Sequence, residues 1–206
     1  MQTCCLIDYG SGNVHSARKA LALAGGGAHD VVLSADPEVI ARADRVVLPG
    51  VGAFASCMRR LRGAGGVVDA IRTFAASGRP FLGICVGMQL MADEGEEHGP
   101  TPGLGLVAGR VTKLDTGALP SPHMGWNDVR ARGARHPVLP GDADAYFVHG
   151  YAFEPADDAV VAASADYPAP FPAVIARGNL VGTQFHPEKS QAYGLDLLSR
   201  FLGWAP

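Results

Sequence analysis

Four short apolar runs in the first half of the chain, "TCCLID", "DVVLS", "RVVLPG" and "PFLGI", each stand before a stretch with helical spacing. Strands that are apolar without alternation are covered on both faces, and helices between them supply the crossovers that parallel pairing needs. The pattern therefore restricts the chain to an α/β fold: a mostly parallel central sheet flanked by helices. The predicted helices are "GNVHSARKALALAG", "DPEVIARAD" (Asp36 as cap, Pro37 at its first position), "GVVDAIRTFAASG" and "VGMQLMADE", and Cys57 falls on a further helix.

The second half is β-rich. "GLVAGRVTKL", "DAYFVHGYAF" and "AVIARGNLVGTQFH" read as strands, with a hairpin turn at "ARGNL". A closing helix, "SQAYGLDLLSRFLGW", starts with Ser190 as its expected cap, and the polar, turn-rich "EGEEHGPTPG" is expected to be a mobile loop. No internal repeat is present, and 206 residues suit one domain spanning 1–206.

The charge balance removes several function classes. A net charge of −3 with pI near 6.1 gives no electrostatic reason to bind nucleic acid or an anionic membrane. No apolar run approaches the roughly 20 residues of a membrane span, and "MQTCCLIDYGSGN" has no secretory signal pattern. Cys4, Cys5, Cys57 and Cys85 show no C-x-x-C spacing, so reduced thiols in the cytoplasm are expected, with Cys4 and Cys5 packed in the first strand. His15, His29, His98, His123, His136 and His149 lack metal-ligand spacing, so neither a metal nor a cofactor is expected, and His149 receives no chemistry.

One cysteine stands apart. In "PFLGICVGMQL", Cys85 sits between Gly83 and Gly87 where the fourth strand passes into a helix. That is the cysteine form of a nucleophile elbow: a sharp turn that crowds the positions two before and two after, exposes the sulfur and places it at a helix N-terminus. Five residues alone fit a buried cysteine in a Gly-rich turn equally well. Three further features favour chemistry. In "GTQFHPEKS", His186 and Glu188 are two apart on a segment that Pro187 keeps extended, so a base and the group that orients it share a face. "VLPGVGAF" offers backbone N–H groups to a developing oxyanion beside that of Val86. Gln89 lies one helical turn beyond Cys85. Together these describe acyl transfer.

With "PGVGAF", "GICVGMQ" and "QFHPEKS" in that order across nearly its whole length, the chain resembles the triad-type (class I) glutamine amidotransferases. The resemblance implies that Cys85 attacks the side-chain amide of L-glutamine, with His186 as general base then acid and Glu188 orienting it. It also implies an oxyanion hole framed by Gly50, Val51 and Val86, and a glutamine site formed by Gly52, Gln89, Gly150 and Tyr151. Within the family, "PHMGWN", "YFVHGYAF", "DYGSGN" and "GLGLVAGRV" resemble the branch of glutaminase subunits of imidazole glycerol phosphate synthase, from histidine biosynthesis. Gly150 departs from that pattern, where a small hydroxyl residue is expected. The rivals are a glutaminase subunit serving another synthase, such as anthranilate synthase, a non-catalytic protein keeping the fold, and a non-amidotransferase thiol hydrolase.

The chain has no room for a second catalytic domain and no phosphate-cradling P-loop, so ammonia must be consumed on another chain. The resemblance implies a heterodimer with a cyclase subunit, a (βα)₈ barrel. It implies Asn13, Met124, Trp126, Asn127, Tyr146 and Lys189 as the docking face and ammonia gate. A peptide flip around Gly50 and Val51 is the expected switch that couples glutamine turnover to that partner.

Overall fold

The computed structural model describes all 206 residues. Strands β1 (Gln2–Ile7), β2 (His29–Ser34), β3 (Arg45–Gly50) and β4 (Phe81–Cys85) run parallel, as the doubly apolar runs predict, and every residue of β3 and β4 is buried. The helices between them are α1 (Val14–Ala24), α2 (Pro37–Arg42), α3 (Phe54–Gly63) and α4 (Val67–Ala76). Asp36 caps α2 as expected, its carboxylate accepting from the Glu38 N–H at 2.8 Å. Because β1 lies between β2 and β3, crossovers of the usual single hand put α1 and α2 on opposite faces of the sheet. There α1 packs on the C-terminal helix α6 (Gln191–Gly203), while α2 and α3 pack on α4.

The rest of the chain brings four more strands that extend the sheet antiparallel: β8 (His123–Ala131), β9 (Ala143–His149), β11 (Val161–Asp166) and β12 (Pro170–Arg177). A final strand, β13 (Leu180–Thr183), turns back from β12 at Gly178 and Asn179 and inserts parallel to β4. The full order is β2-β1-β3-β4-β13-β12-β11-β8-β9, a mixed sheet parallel in one half and antiparallel in the other. Short strands β5 (Glu94–Gly95), β6 (Thr101–Pro102), β7 (Gly109–Lys113) and β10 (Tyr151–Pro155) make a second sheet in the order β10-β7-β5-β6. The carboxyl ends of β3, β4 and β13 lie side by side, with Gly50 paired to Cys85 and Thr183 to Ile84. Such adjacent strand ends are where open α/β sheets place their sites.

Four expectations need correction. The helix after Cys85 is a single turn, α5 (Val86–Gln89), rather than "VGMQLMADE". Its continuation is blocked because the carbonyls of Leu90, Met91 and Ala92 are taken by amides of residues 104–107. The run "DAYFVHGYAF" is two strands, β9 and β10, parted at Gly150 and belonging to different sheets. The stretch "EGEEHGPTPG" is tied down by pairing of β5 with β6 and by Glu97, whose carboxylate accepts from the Phe54 N–H at 2.8 Å at the start of α3. Ser190 does precede α6 but does not cap it through its side chain: the hydroxyl donates to the His186 carbonyl at 2.7 Å and accepts from the Tyr146 N–H at 3.0 Å.

Candidate active site

Cys85 ends β4 with φ 53° and ψ −113°, in a region that side chains other than glycine rarely adopt. Backbone strain of this kind costs on the order of 1–3 kcal/mol and persists only where the surroundings impose it. The surroundings here are glycine contacts. A Cβ on Gly83 would lie 2.7 Å from Met88 Cα, and one on Gly87 would overlap the Leu48 carbonyl. The two glycines flanking the cysteine are thus required by close packing of β3, β4 and α5. The turn does not expose the sulfur to bulk solvent as expected, since Cys85 is 3% exposed. It places the residue in the wall of a cavity of about 410 Å³. With α5 only one turn long, any help to a thiolate comes from its first N–H groups rather than from a long helix dipole.

His186 follows β13, the strand neighbouring β4, and is extended. The segment does not stay extended as expected: Pro187–Lys189 form one 3-10 turn, which carries Glu188, with Pro187 at its first position, where a missing N–H costs nothing. His186 Nδ1 and Glu188 Oε1 are 2.9 Å apart and buried, which fixes one face of the imidazole. The His186 N–H in turn donates to the Tyr146 carbonyl at 3.0 Å, and its carbonyl takes the Ser190 hydroxyl, so the backbone of the residue is pinned at both ends. The other ring nitrogen, Nε2, is buried without a hydrogen-bond partner. Burial by itself pushes the imidazole pKa down, but the Cys85 sulfur and then the Glu188 carboxylate outweigh it and raise the value to about 10. A base held by a carboxylate and influenced by a neighbouring thiol is the arrangement that nucleophilic acyl transfer requires.

The cavity gathers most of the residues singled out in the sequence. Val51, Gly52, Val86, Gln89, Gly150 and Tyr151 line it together with Cys85, His186 and Lys189. Gly50 lies beneath, opposite Cys85 in the strand register. Val51 does not offer its amide to the sulfur: its N–H is engaged by the Ser11 hydroxyl at 3.4 Å, and its carbonyl accepts from Ser11 at 3.0 Å and from the Cys57 thiol at 3.3 Å. Sequence reasoning missed Glu97, Pro122, Val148 and His149 in the lining, and Gln184, whose Nε2 is 3.7 Å from Cys85 Sγ. His149 and Gln184 belonged to quoted motifs, but nothing in their spacing marks them as facing the sulfur.

On the outer face of the β8–β9 pair, Met124 opposes Val148 and Trp126 opposes Tyr146. Met124 and Trp126 are 66% and 49% exposed, unusual for such large apolar groups. Tyr146 receives the edge of Trp126 at 6.0 Å between ring centroids, and Lys189 Nζ lies 5.6 Å over its ring. Lys189 also lines the cavity, so the rim of the site and this apolar face are continuous. Asn13 is half-buried at the start of α1. Asn127 is the exception. Strand alternation turns it to the opposite face, where its Nδ2 donates to the Asp166 carbonyl at 2.9 Å and lies 3.3 Å from His123 Nε2.

Comparison with known proteins identifies the family. The family pattern described as glutamine amidotransferase class-I matches residues 5–202. A Rhodospirillum rubrum protein named imidazole glycerol phosphate synthase subunit HisH is 55% identical, with 98% of each chain covered. A Zymomonas mobilis protein of the same name is 49% identical over 99% of this chain and 97% of its own. Among solved structures, one described as a glutamine amidotransferase superposes with a TM-score of 0.75 at 19% identity, covering 97% of this chain and 99% of that one. PurLQS from Thermotoga maritima superposes with a TM-score of 0.74 at 19% identity, covering 98% of each chain. At that identity the two structures speak for the fold alone. No helix of the chain is long and apolar enough to cross a membrane.

Proposed function

The chain belongs to the class-I glutamine amidotransferase family, and we propose that it is the glutaminase subunit of an imidazole glycerol phosphate synthase in histidine biosynthesis. The observation that carries the chemistry is that Cys85, held on a strained turn, and His186 line one cavity, with Glu188 buried behind the imidazole on its Nδ1 side. L-Glutamine occupies the cavity with its side-chain amide at Cys85 Sγ and its backbone end toward Gln89, Gly52, Gly150 and Tyr151.

His186 takes the thiol proton, and the sulfur adds to the amide carbon. The resulting oxyanion is met by the Val86 N–H. His186 then gives its proton to the departing nitrogen, ammonia leaves, and a γ-glutamyl thioester remains. Water, deprotonated by His186, cleaves the thioester, releasing glutamate and restoring the thiol. Glu188 keeps the imidazole in the orientation both transfers need.

Val51 supplies the second oxyanion donor only after the Gly50–Val51 peptide turns, because Ser11 now holds its N–H. That arrangement supports an ammonia-producing site that waits for its partner. The partner is a (βα)₈-barrel cyclase subunit, which docks on the exposed Met124–Trp126 face, with Tyr146 and Lys189 between that face and the site and Asn13 at its edge. The test is glutamate release from glutamine by the chain alone and with a cyclase subunit plus its nucleotide ligand, using Cys85→Ala as control. Release that depends on Cys85 and rises strongly with the liganded partner supports the reading. Release with no response to the partner would keep the triad and discard the pathway.

A further inference from the structure

The carbonyl oxygen of Tyr151 accepts two hydrogen bonds, from Gln89 Nε2 at 2.9 Å and from His149 Nδ1 at 2.9 Å. A carbonyl can only accept, so it fixes both partners as donors. The second hydrogen of the Gln89 amide goes to Gln184 Oε1 at 3.0 Å. Gln184 must then present its own NH₂ on the other side, where Nε2 lies 3.7 Å from Cys85 Sγ.

Neither amide can be turned over. Reversing Gln89 would set its oxygen against two oxygens, and reversing Gln184 would set NH₂ against NH₂ and oxygen against sulfur. On the far side, His149 protonated at Nδ1 accepts at Nε2 from His123 Nδ1, 3.0 Å away. Burial lowers the His149 pKa to about 4, so it stays neutral and keeps this sense of donation. Gln184 is fully buried and Gln89 is 3% exposed, so water does not replace these bonds.

We propose that Gln184 is a further catalytic residue: its amide N–H, aimed by Gln89 and the Tyr151 carbonyl, donates to the Cys85 sulfur and favours the thiolate. Donors to an anionic acceptor bind it about twice as strongly as they bind a neutral one, so the bond strengthens as the thiol gives up its proton. The polarity of the chain, not packing alone, explains why two glutamines stand buried behind a nucleophile. This role rests on the glutaminase reading above but is measured without glutamine.

The experiment is the second-order rate of Cys85 alkylation by iodoacetamide on the full chain at pH 7. Cys85→Ala subtracts any reaction of the other three cysteines, which are buried. Gln184→Met keeps the length of the side chain and removes the donor. It should slow alkylation about tenfold, and the rate should recover at pH 9, where base rather than a donor makes the thiolate. Gln89→Met frees the Gln184 amide to turn over and should slow alkylation roughly threefold, although Gln89 makes no bond to the sulfur. It also carries the test if Gln184→Met fails to fold. Wild-type rates in folded variants, or a loss that pH 9 does not restore, would overturn the proposal. Glutamate release is followed in parallel on the wild-type chain; its absence would fail the glutaminase reading while the alkylation rates still decide the role of Gln184.

Discussion

His186 Nδ1 lies 2.9 Å from Glu188 Oε1, with the two side chains 2% and 3% exposed. A buried carboxylate this close both orients the ring and stabilises its charged form, second only to the influence of Cys85. Glu188→Gln keeps the shape and removes the charge. Glutamate release should fall by about a hundredfold or more, chiefly in kcat, because proton transfer is impaired and not glutamine binding. A change confined to KM would contradict the orienting role.

The same pair makes stability depend on pH with a definite sign. The folded His186 pKa is raised to about 10, above the value of about 6.5 for an unperturbed histidine. In that window the folded chain holds more protons than the unfolded chain, so stability falls as pH rises. The contribution is complete below about pH 6.5 and is lost as the pH climbs through about 10. Urea midpoints across this range should decline more steeply for the wild type than for His186→Ala. By NMR, the His186 ring should titrate lower in Cys85→Ala than in the wild type, because the sulfur is the strongest raising influence.

Cys85 adopts φ 53°. Glycine enters that region at no steric cost, so Cys85→Gly should be more stable than Cys85→Ala by about 1 kcal/mol, with both inactive. Equal thermal midpoints would mean the turn stores no strain at this residue.

Two glycines of the site should respond oppositely to a side chain. A Cβ on Gly83 meets Met88 Cα and N at 2.7 Å, which are backbone atoms of α5 that cannot move aside. Gly83→Ala should therefore lose about 3 kcal/mol or fail to fold. A Cβ on Gly150 meets only Pro122 Cβ at 3.8 Å. Gly150→Ser should fold with stability within about 0.5 kcal/mol of wild type, and steady-state kinetics will show whether a hydroxyl there lowers KM for glutamine.

Trp126 is half exposed and packs edge-on against Tyr146. Trp126→Ala should leave the melting temperature of the isolated chain nearly unchanged yet weaken association with a cyclase subunit by about 2 kcal/mol, read by calorimetry. Asn127→Ala should behave in the reverse way, since that side chain bonds Asp166 on the opposite face.

Much of this was legible in the residues. Apolar runs and helix spacing placed β1 to β4 within a residue or so at each end, and "GICVG" located the turn because close packing admits only glycine beside it. Where local pattern misled, a distant partner had intervened. "VGMQLMADE" has helical composition, but amides of residues 104–107 capture the carbonyls that the next turn would use. Ser190 has the chemistry of a cap, but Tyr146 and His186 claim its hydroxyl. Met124, Trp126 and Asn127 are expected on one docking face, but strand alternation turns Asn127 away from the other two.

The sequence by itself determined the α/β order and the strained cysteine turn, because each depends on covalent geometry and neighbours a few residues away. Only the tertiary structure decided that β13 inserts beside β4 and so carries His186 to Cys85, that the Val51 amide is held by Ser11, and that Gln184 faces the sulfur. Those contacts join residues at least 40 apart in sequence. Their partners are chosen by which buried donors and acceptors must be satisfied once the sheet has closed, a condition no local pattern records.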